Sequence, residues 1–251
     1  MNIHVLATCR KPELLPYTTL VFKTLRVGFP AADVTVYLNN LDVASAGEVS
    51  SWAKGIDAYA MEVNTIHHKW IEGLIEQNRE PFWIVDTDCI FFGKVEDWTF
   101  DAPLAGWRIP EWNDAFSGCI TRARLHTSLL YLDPVKIKAA VREYESKIAD
   151  TPFTPKVNLI HPLVIPFKNK SYFYDTCSLL YHAIGGVAFT DEQKEAYAHL
   201  NFGTIQDIVL PRLPKEEATR IDTARNVILS NNSWAKGSWR FQEQYYSQHP
   251  V

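Results

Sequence analysis

The stretch Pro81-Phe82-Trp83-Ile84-Val85-Asp86-Thr87-Asp88-Cys89-Ile90-Phe91 decides how this chain folds. Four apolar residues follow a proline without polar alternation, which describes a strand buried on both faces. Such strands belong to parallel sheets covered by helices on either side. The run ends on two aspartates one residue apart. Side chains at i and i+2 of an extended chain point the same way, so Asp86 and Asp88 are expected to face one cation. The carboxyl end of a strand is also where open α/β sheets place ligands. Two carboxylates suit Mn²⁺ or Mg²⁺, and such a cation can hold a diphosphate and neutralise charge growing on a leaving group. A D-x-D triplet alone is weak, because an aspartate after a strand is often a turn former or a helix cap. The flanking elements carry the decision.

Upstream, Ile3 to Ala7 reads as a buried strand, and Leu14, Thr18, Val21, Phe22 and Leu25 follow helical spacing from Glu13 until Gly28-Phe29-Pro30. Val34 to Leu38 is a second strand closed by Asn39-Asn40, and Ser45 to Lys54 a helix with Gly55 as its left-handed cap. Ala58 to Val63 is a third strand, and Trp70, Ile71, Leu74 and Ile75 stripe a helix within His67 to Asn78. This alternation predicts an α/β domain with a mostly parallel sheet, helices on both faces and right-handed crossovers.

Downstream the pattern loosens. Leu104 to Ile109 and Leu125 to Leu132 read as strands, and Pro134 opens a helix with Ile137, Val141, Tyr144 and Ile148 on one face. Residues 151–170 carry four prolines and little period, so a loop-rich connection is expected. Cys177, Leu180, Tyr181 and Ile184 mark a helix after Asp175, ended by Gly185-Gly186. The last stretch, 228–251, is polar and aromatic, and reads as a closing segment or a frayed end.

The net charge of −4 and the scatter of the basic residues argue against a nucleic-acid partner. Cys9, Cys89, Cys119 and Cys177 form no C-x-x-C pair, which fits thiols kept in a reducing compartment. The N-terminus lacks a basic segment followed by a long apolar one, and no run reaches membrane-spanning length. A cytoplasmic location is therefore expected. Rossmann, P-loop, zincin and nucleophile-elbow motifs are absent.

At this point the chain resembles the GT-A nucleotide-diphosphate-sugar glycosyltransferases, and within them the glycogenin and lipopolysaccharide-galactosyltransferase group. The resemblance rests on Ile3 to Thr8, on Pro81 to Phe91 with its D-x-D, on Asp133-Pro134, on Tyr174-Asp175-Thr176 heading a helix, and on His199 before Gly203. Only the D-x-D segment is of motif quality. The group's His-x-x-Gly-x-x-Lys-Pro-Trp is absent, and its asparagine-glycine signature is replaced by Phe116-Ser117-Gly118 or His126-Thr127-Ser128. The resemblance implies a single GT-A domain over 1–251. Residues 1–100 would form the nucleotide half, 101–227 the donor-sugar and acceptor half, and 228–251 a tail able to close as a lid. It implies a UDP-sugar or another nucleotide-sugar donor, and a saccharide, lipid or protein acceptor.

It also implies a metal site of Asp86, Asp88 and a later histidine, His199. The other reading of His199 is a surface residue ending a helix over Glu192 to Ala198, where the macrodipole favours a cation. Thr8, Arg10, Lys69 and Lys236 are candidates for the nucleotide and diphosphate; Arg10 and Lys69 read equally as solvated side chains, and Lys236 as part of a disordered tail. Asp114 and Asp175 are candidate sugar-binding, base or nucleophilic carboxylates, and Asp175 also reads as a helix cap. Trp107, Arg108 and Trp112 read as a sugar-stacking wall or as packing. Two other functions remain open: a sugar-nucleotide nucleotidyltransferase, although Thr8-Cys9-Arg10-Lys11-Pro12 lacks its glycine-rich loop, and a silent binding or assembly protein of the same fold.

Overall fold

Alternating short apolar runs and amphipathic stripes assemble as a seven-stranded sheet in the computed structural model, which describes residues 1–9, 15, 16, 20–114, 118–148, 158–200, 215, 216, 219, 223 and 235–248. At its centre β1 (Asn2–Thr8) lies parallel to β2 (Asp33–Asn39), which lies parallel to β3 (Tyr59–Val63). On its other side β1 runs parallel to β4 (Phe82–Val85), the strand of the deciding stretch. All four β4 residues are buried. Beyond β4 come β9 (Arg124–Leu132), β6 (Leu104–Ile109) and β12 (Val187–Ala188); among the described strands of this sheet, β9 alone runs against its neighbours.

Period-two alternation distributes the core over two faces. Ile3, Val5, Val34, Val36, Trp83 and Val85 pack with α1 (Val21–Gly28) and α2 (Val43–Gly55). Phe82, Ile84, Leu130 and Leu132 pack with α3 (His67–Gln77), α4 (Pro134–Ile148) and α5 (Ser178–Ile184). Local signals set the helix starts. Asp42 accepts from the Ala44 and Ser45 amides, and Asp133 from those of Val135 and Lys136. No helix among the described residues is long and apolar enough to cross a membrane.

A smaller sheet joins β7 (Trp112–Asp114), β8 (Cys119–Thr121), β11 (Lys170–Tyr174) and β10 (Leu163–Phe167), and a third pairs β5 (Cys89–Phe91) with β13 (Tyr197–His199). These pieces correct several expectations. The stretch 151–170 is not wholly loop: residues 163–167 form β10, because an edge strand tolerates Pro166. The helix near Glu192 is short, α6 (Asp191–Glu195) with a Thr190–Gln193 capping box, and the chain then enters β13. The left-handed residue after α2 is Asp57 (φ 53°), not Gly55, which stays within the helix. α1 begins at Val21; Leu14 and Thr18 lie outside the described residues. The C-terminal stretch is not frayed over 239–248. It forms α7 (Trp239–Gln248), with Trp239 buried in the main core.

Candidate metal centre

The centre begins where β4 ends. The Asp86 amide donates to the Ser128 carbonyl (2.7 Å), still bound to β9, while the Cys89 amide donates to the Asp86 carbonyl (3.2 Å). The D-x-D is thus a tight turn rather than the extended strand expected from its spacing, and β5 follows it at once. The Thr87 carbonyl accepts from the Val21 amide (3.0 Å) and ties the turn to α1. β5 then pairs antiparallel with β13, and the register sets His199 opposite Cys89, next to Asp88.

His199 Nε2 consequently lies 3.1 Å from Asp88 Oδ1 and 3.7 Å from Asp86 Oδ2. One ligand atom from each of the three residues lies within 4.8 Å of the others. Asp88 and His199 are buried, while 32% of the Asp86 side chain is exposed, so the group opens to one side. Burial pushes the Asp86 carboxyl up to about 7, with Asp88 and Asp175 adding to the rise and His199 opposing it. Burial alone would lower His199, but Asp88 and Asp86 together outweigh it and hold the imidazole above its ordinary value. A proton on His199 Nε2 is within hydrogen-bond reach of Asp88 alone, while Asp86 acts on it through its charge from 3.7 Å. Two carboxylates and an imidazole form the oxygen-rich set that a hard or borderline divalent cation takes.

Other polar groups crowd the same recess. Between two paired positions β9 advances five residues, Leu125 to Leu130, while β6 advances two, Arg108 to Gly106. The surplus carries His126, Thr127 and Ser128 out of the pairing with β6 as a bulge, as happens beside many active sites. The His126 ring stands 4.7 Å from that of His199. His126 Nδ1 accepts from the Ser128 amide, and burial, then the His199, Arg124 and His67 charges, hold the ring well below its ordinary pKa. Arg124 Nη2 pairs with Asp175 Oδ2 at 3.2 Å over the face of Trp112. His67, at the start of α3, is also lowered by burial, with Asp175 opposing. His67 Nε2, His199 Nδ1 and Arg124 Nη1 are buried without a hydrogen-bond partner.

The structure therefore brings together Asp86, Asp88, His199 and Asp175. The surface-histidine reading of His199 does not hold, since the residue is buried on a strand. Asp175 is not the cap of α5. Cys177 takes that position, and the Asp175 carboxylate accepts from the Thr176 amide. Thr8 ends β1 on the same sheet edge as Asp86, its hydroxyl accepting from Asn39 Nδ2. Lys69 sits exposed in the first turn of α3. Lys236 is exposed beside Ala235, which packs on Ile90 and Ala198 of the β5–β13 ribbon. Asp114 lies at the end of β7 opposite Cys119. Trp107 is core packing, and Arg108 is exposed. Arg10 lies outside the described residues.

Sequence reasoning missed His126 as a member of this cluster, and α7 as its support. The signal for the first was the polar run His126-Thr127-Ser128 interrupting an apolar strand. α7 is held by Trp239 Nε1 donating to Glu195, by Lys194 bridging Asp191 and Glu243, and by Gln242 Nε2 donating to the His199 carbonyl (2.8 Å).

Fold and site together define an α/β protein with an acidic-histidine centre at the carboxyl edge of a mostly parallel sheet. No protein-family model and no curated protein matches the chain. It is similar to solved structures of two glycosyltransferases and of a nucleoside-diphosphate-sugar pyrophosphorylase. One is the glycosyltransferase GlyE of Streptococcus pneumoniae TIGR4, at 9% identity and TM-score 0.43, covering 86% of this chain and 52% of that one. Another is the galactosyltransferase LgtC in complex with donor and acceptor sugar analogues, at 12% identity and TM-score 0.41, covering 75% and 73%. A third is a nucleoside-diphosphate-sugar pyrophosphorylase of Vibrio cholerae RC9, at 11% identity and TM-score 0.40, covering 83% and 99%. The chain thus spans about half the length of GlyE.

Proposed function

We propose that this chain is a metal-dependent glycosyltransferase that moves a sugar from a nucleotide diphosphate, UDP by default, to an acceptor hydroxyl. The observation that carries this reading is the convergence of Asp86, Asp88 and His199 at the carboxyl end of β4. Those three residues would hold Mn²⁺ or Mg²⁺, His199 through Nε2. When bound, the cation neutralises charge on the departing diphosphate. Thr8, Arg10, Lys69 and Lys236 are assigned to the nucleotide and diphosphate. The remaining groups serve the sugar. Asp175, oriented by Arg124, accepts a hydrogen bond from a donor hydroxyl or acts on the reacting carbon, with Asp114 assigned to the acceptor side. His126 and His67, both held neutral, offer hydrogen bonds without adding positive charge. Donors fixed before the reaction stabilise developing charge without reorganisation.

The test is slow hydrolysis of UDP-sugars by the purified chain, with water in place of the acceptor. Turnover should need Mn²⁺ or Mg²⁺ and stop in chelator. Full-rate hydrolysis in chelator contradicts the metal assignment. Neither hydrolysis nor binding across a panel of UDP-sugars favours another donor nucleotide or a silent protein. Release of pyrophosphate from a nucleoside triphosphate and a sugar phosphate identifies a nucleotidyltransferase instead.

A further inference from the structure

The hairpin β10–β11 is apolar where soluble proteins are usually polar. Val164 is 51% exposed, Ile165 39% and Phe167 58%, and Pro166 between them is exposed as well. β10 pairs with β11 and ends its sheet. Successive side chains of a strand point to opposite faces, so Val164 and Pro166 occupy one face and Ile165 and Phe167 the other. A flat protein partner would cover one of these faces and leave the second wet. Pairing with the edge of a second copy is also disfavoured, because Pro166 lacks a donor and Lys168 follows at the tip.

The charges at the tip choose among other occupants. Lys168 and Lys170 are exposed at the turn, Lys168 Nζ lies 5.4 Å from the centre of the Phe167 ring, and no Asp or Glu occurs between Asn158 and Tyr174. This cationic, two-sided apolar tip stands on a chain whose net charge is −4. Apolar side chains surrounded by lysines suit the boundary of an anionic bilayer, where acyl chains receive the former and headgroups the latter. We propose that the β10–β11 hairpin is a membrane-docking tip for anionic lipid surfaces. β11 runs directly into Asp175, so docking would hold the recess close to the bilayer. The proposal does not depend on the metal centre.

The experiment is co-sedimentation of the full chain with vesicles of phosphatidylcholine alone or mixed with phosphatidylglycerol. Binding is expected to the mixed vesicles and to weaken as salt rises. Ile165→Ser with Phe167→Ser should lower partitioning about tenfold or more. Lys168→Glu with Lys170→Glu, which leaves the apolar side chains in place, should also lower it about tenfold or more. Both pairs are exposed, so an unchanged melting temperature marks a folded variant. In a Phe167→Trp chain, the added indole should shift its emission to the blue with mixed vesicles. Failure to bind, binding indifferent to both double substitutions, or no added emission shift overturns the proposal. So does a dimer in sedimentation equilibrium that Ile165→Ser with Phe167→Ser dissolves while vesicles leave it unbound.

Discussion

Asp86 sets the terms for the site at the scale of single residues. Its carboxyl is pushed up to about 7 by burial, with Asp88 and Asp175 adding, so ionising it costs the folded chain more than the unfolded one. The folded value exceeds the unfolded one, so the associated stability is complete below the ordinary carboxylate range and lost as pH rises through about 7. Asp86→Asn should therefore raise the melting temperature of the metal-free protein at pH 8. The rise should be ~2–4 °C, the size of about 1 kcal/mol in a chain this long, because the exposed third of the side chain screens much of the shift. The difference should shrink toward pH 4, and Mn²⁺ should no longer stabilise the variant. A lower melting temperature at pH 8 would contradict the strain assigned to this carboxylate. His199, held above its ordinary value, must lose its proton to ligate. Mn²⁺ affinity should then fall as pH drops from 8 to 6. Calorimetry in two buffers of different ionisation enthalpy should register proton release on binding. Affinity independent of pH removes His199 from the ligand set.

At the scale of elements, the centre depends on a two-stranded ribbon clamped from both sides. On one side Gly28 closes α1 against β5; a Cβ there would meet Phe91 Cδ1 at 2.6 Å, while the Gly28 carbonyl accepts from the Val95 and Glu96 amides. Gly28→Ala should cost about 1–3 kcal/mol by overpacking, read as a lower urea midpoint, and should weaken Mn²⁺ binding because Phe91 lies on β5, which follows the turn at once. On the other side α7 holds the His199 carbonyl through Gln242. Gln242→Ala should cost about 1 kcal/mol, and Trp239→Ala about 3 kcal/mol for the lost buried ring. Both should weaken metal binding several-fold although neither residue is a proposed ligand; unchanged affinity in both would make α7 a bystander. Elements with a local signature were legible in the sequence. β4 reads from four apolar residues, α3 from its stripe and α4 from Asp133-Pro134. The elements that complete the site were not legible, for physical reasons. β13 has three residues and gains its identity only by pairing with β5. The His126–Ser128 bulge exists only through the mismatch of β9 with β6. β10 hides behind a proline that an edge tolerates. Asp86 and Asp88 were correctly placed at a strand end, but a turn, rather than strand alternation, is what converges them.

At the scale of the whole molecule, buried histidines and the strained carboxylate pull stability in opposite directions with pH. His4 lies on the α3 side of β1, against the edge of Phe82, with Nδ1 bonded to the Tyr37 hydroxyl and Nε2 without a partner. Burial lowers it to about 4, and His67 and His126 are lowered too, burial again the largest cause. A histidine whose folded value is depressed favours the unfolded chain once that chain takes up a proton. The penalty is absent above 6.5, grows as pH falls, and is complete near the folded value. For His4 alone this amounts to about 2 kcal/mol at pH 5, from a folded value near 4 and an ordinary value of 6.5. Asp86 acts the other way over the same interval, so the metal-free protein should be most stable between these two losses, just below neutral pH. Mn²⁺ should move that optimum upward, because a bound cation compensates the ionised Asp86 and leaves the histidine penalty on the acid side. The measurement is the urea midpoint from pH 8 to 5, with and without Mn²⁺, for wild type and His4→Gln. The substitution costs packing at every pH, so the slope is the quantity to compare. Its curve should lack the part of the acid decline that His4 contributes, leaving the two chains closer at pH 5 than at pH 8 by about 2 kcal/mol. A constant separation would mean that His4 is protonated in the fold as readily as in the unfolded chain, and that the core between β1 and α3 is wetter than its packing implies.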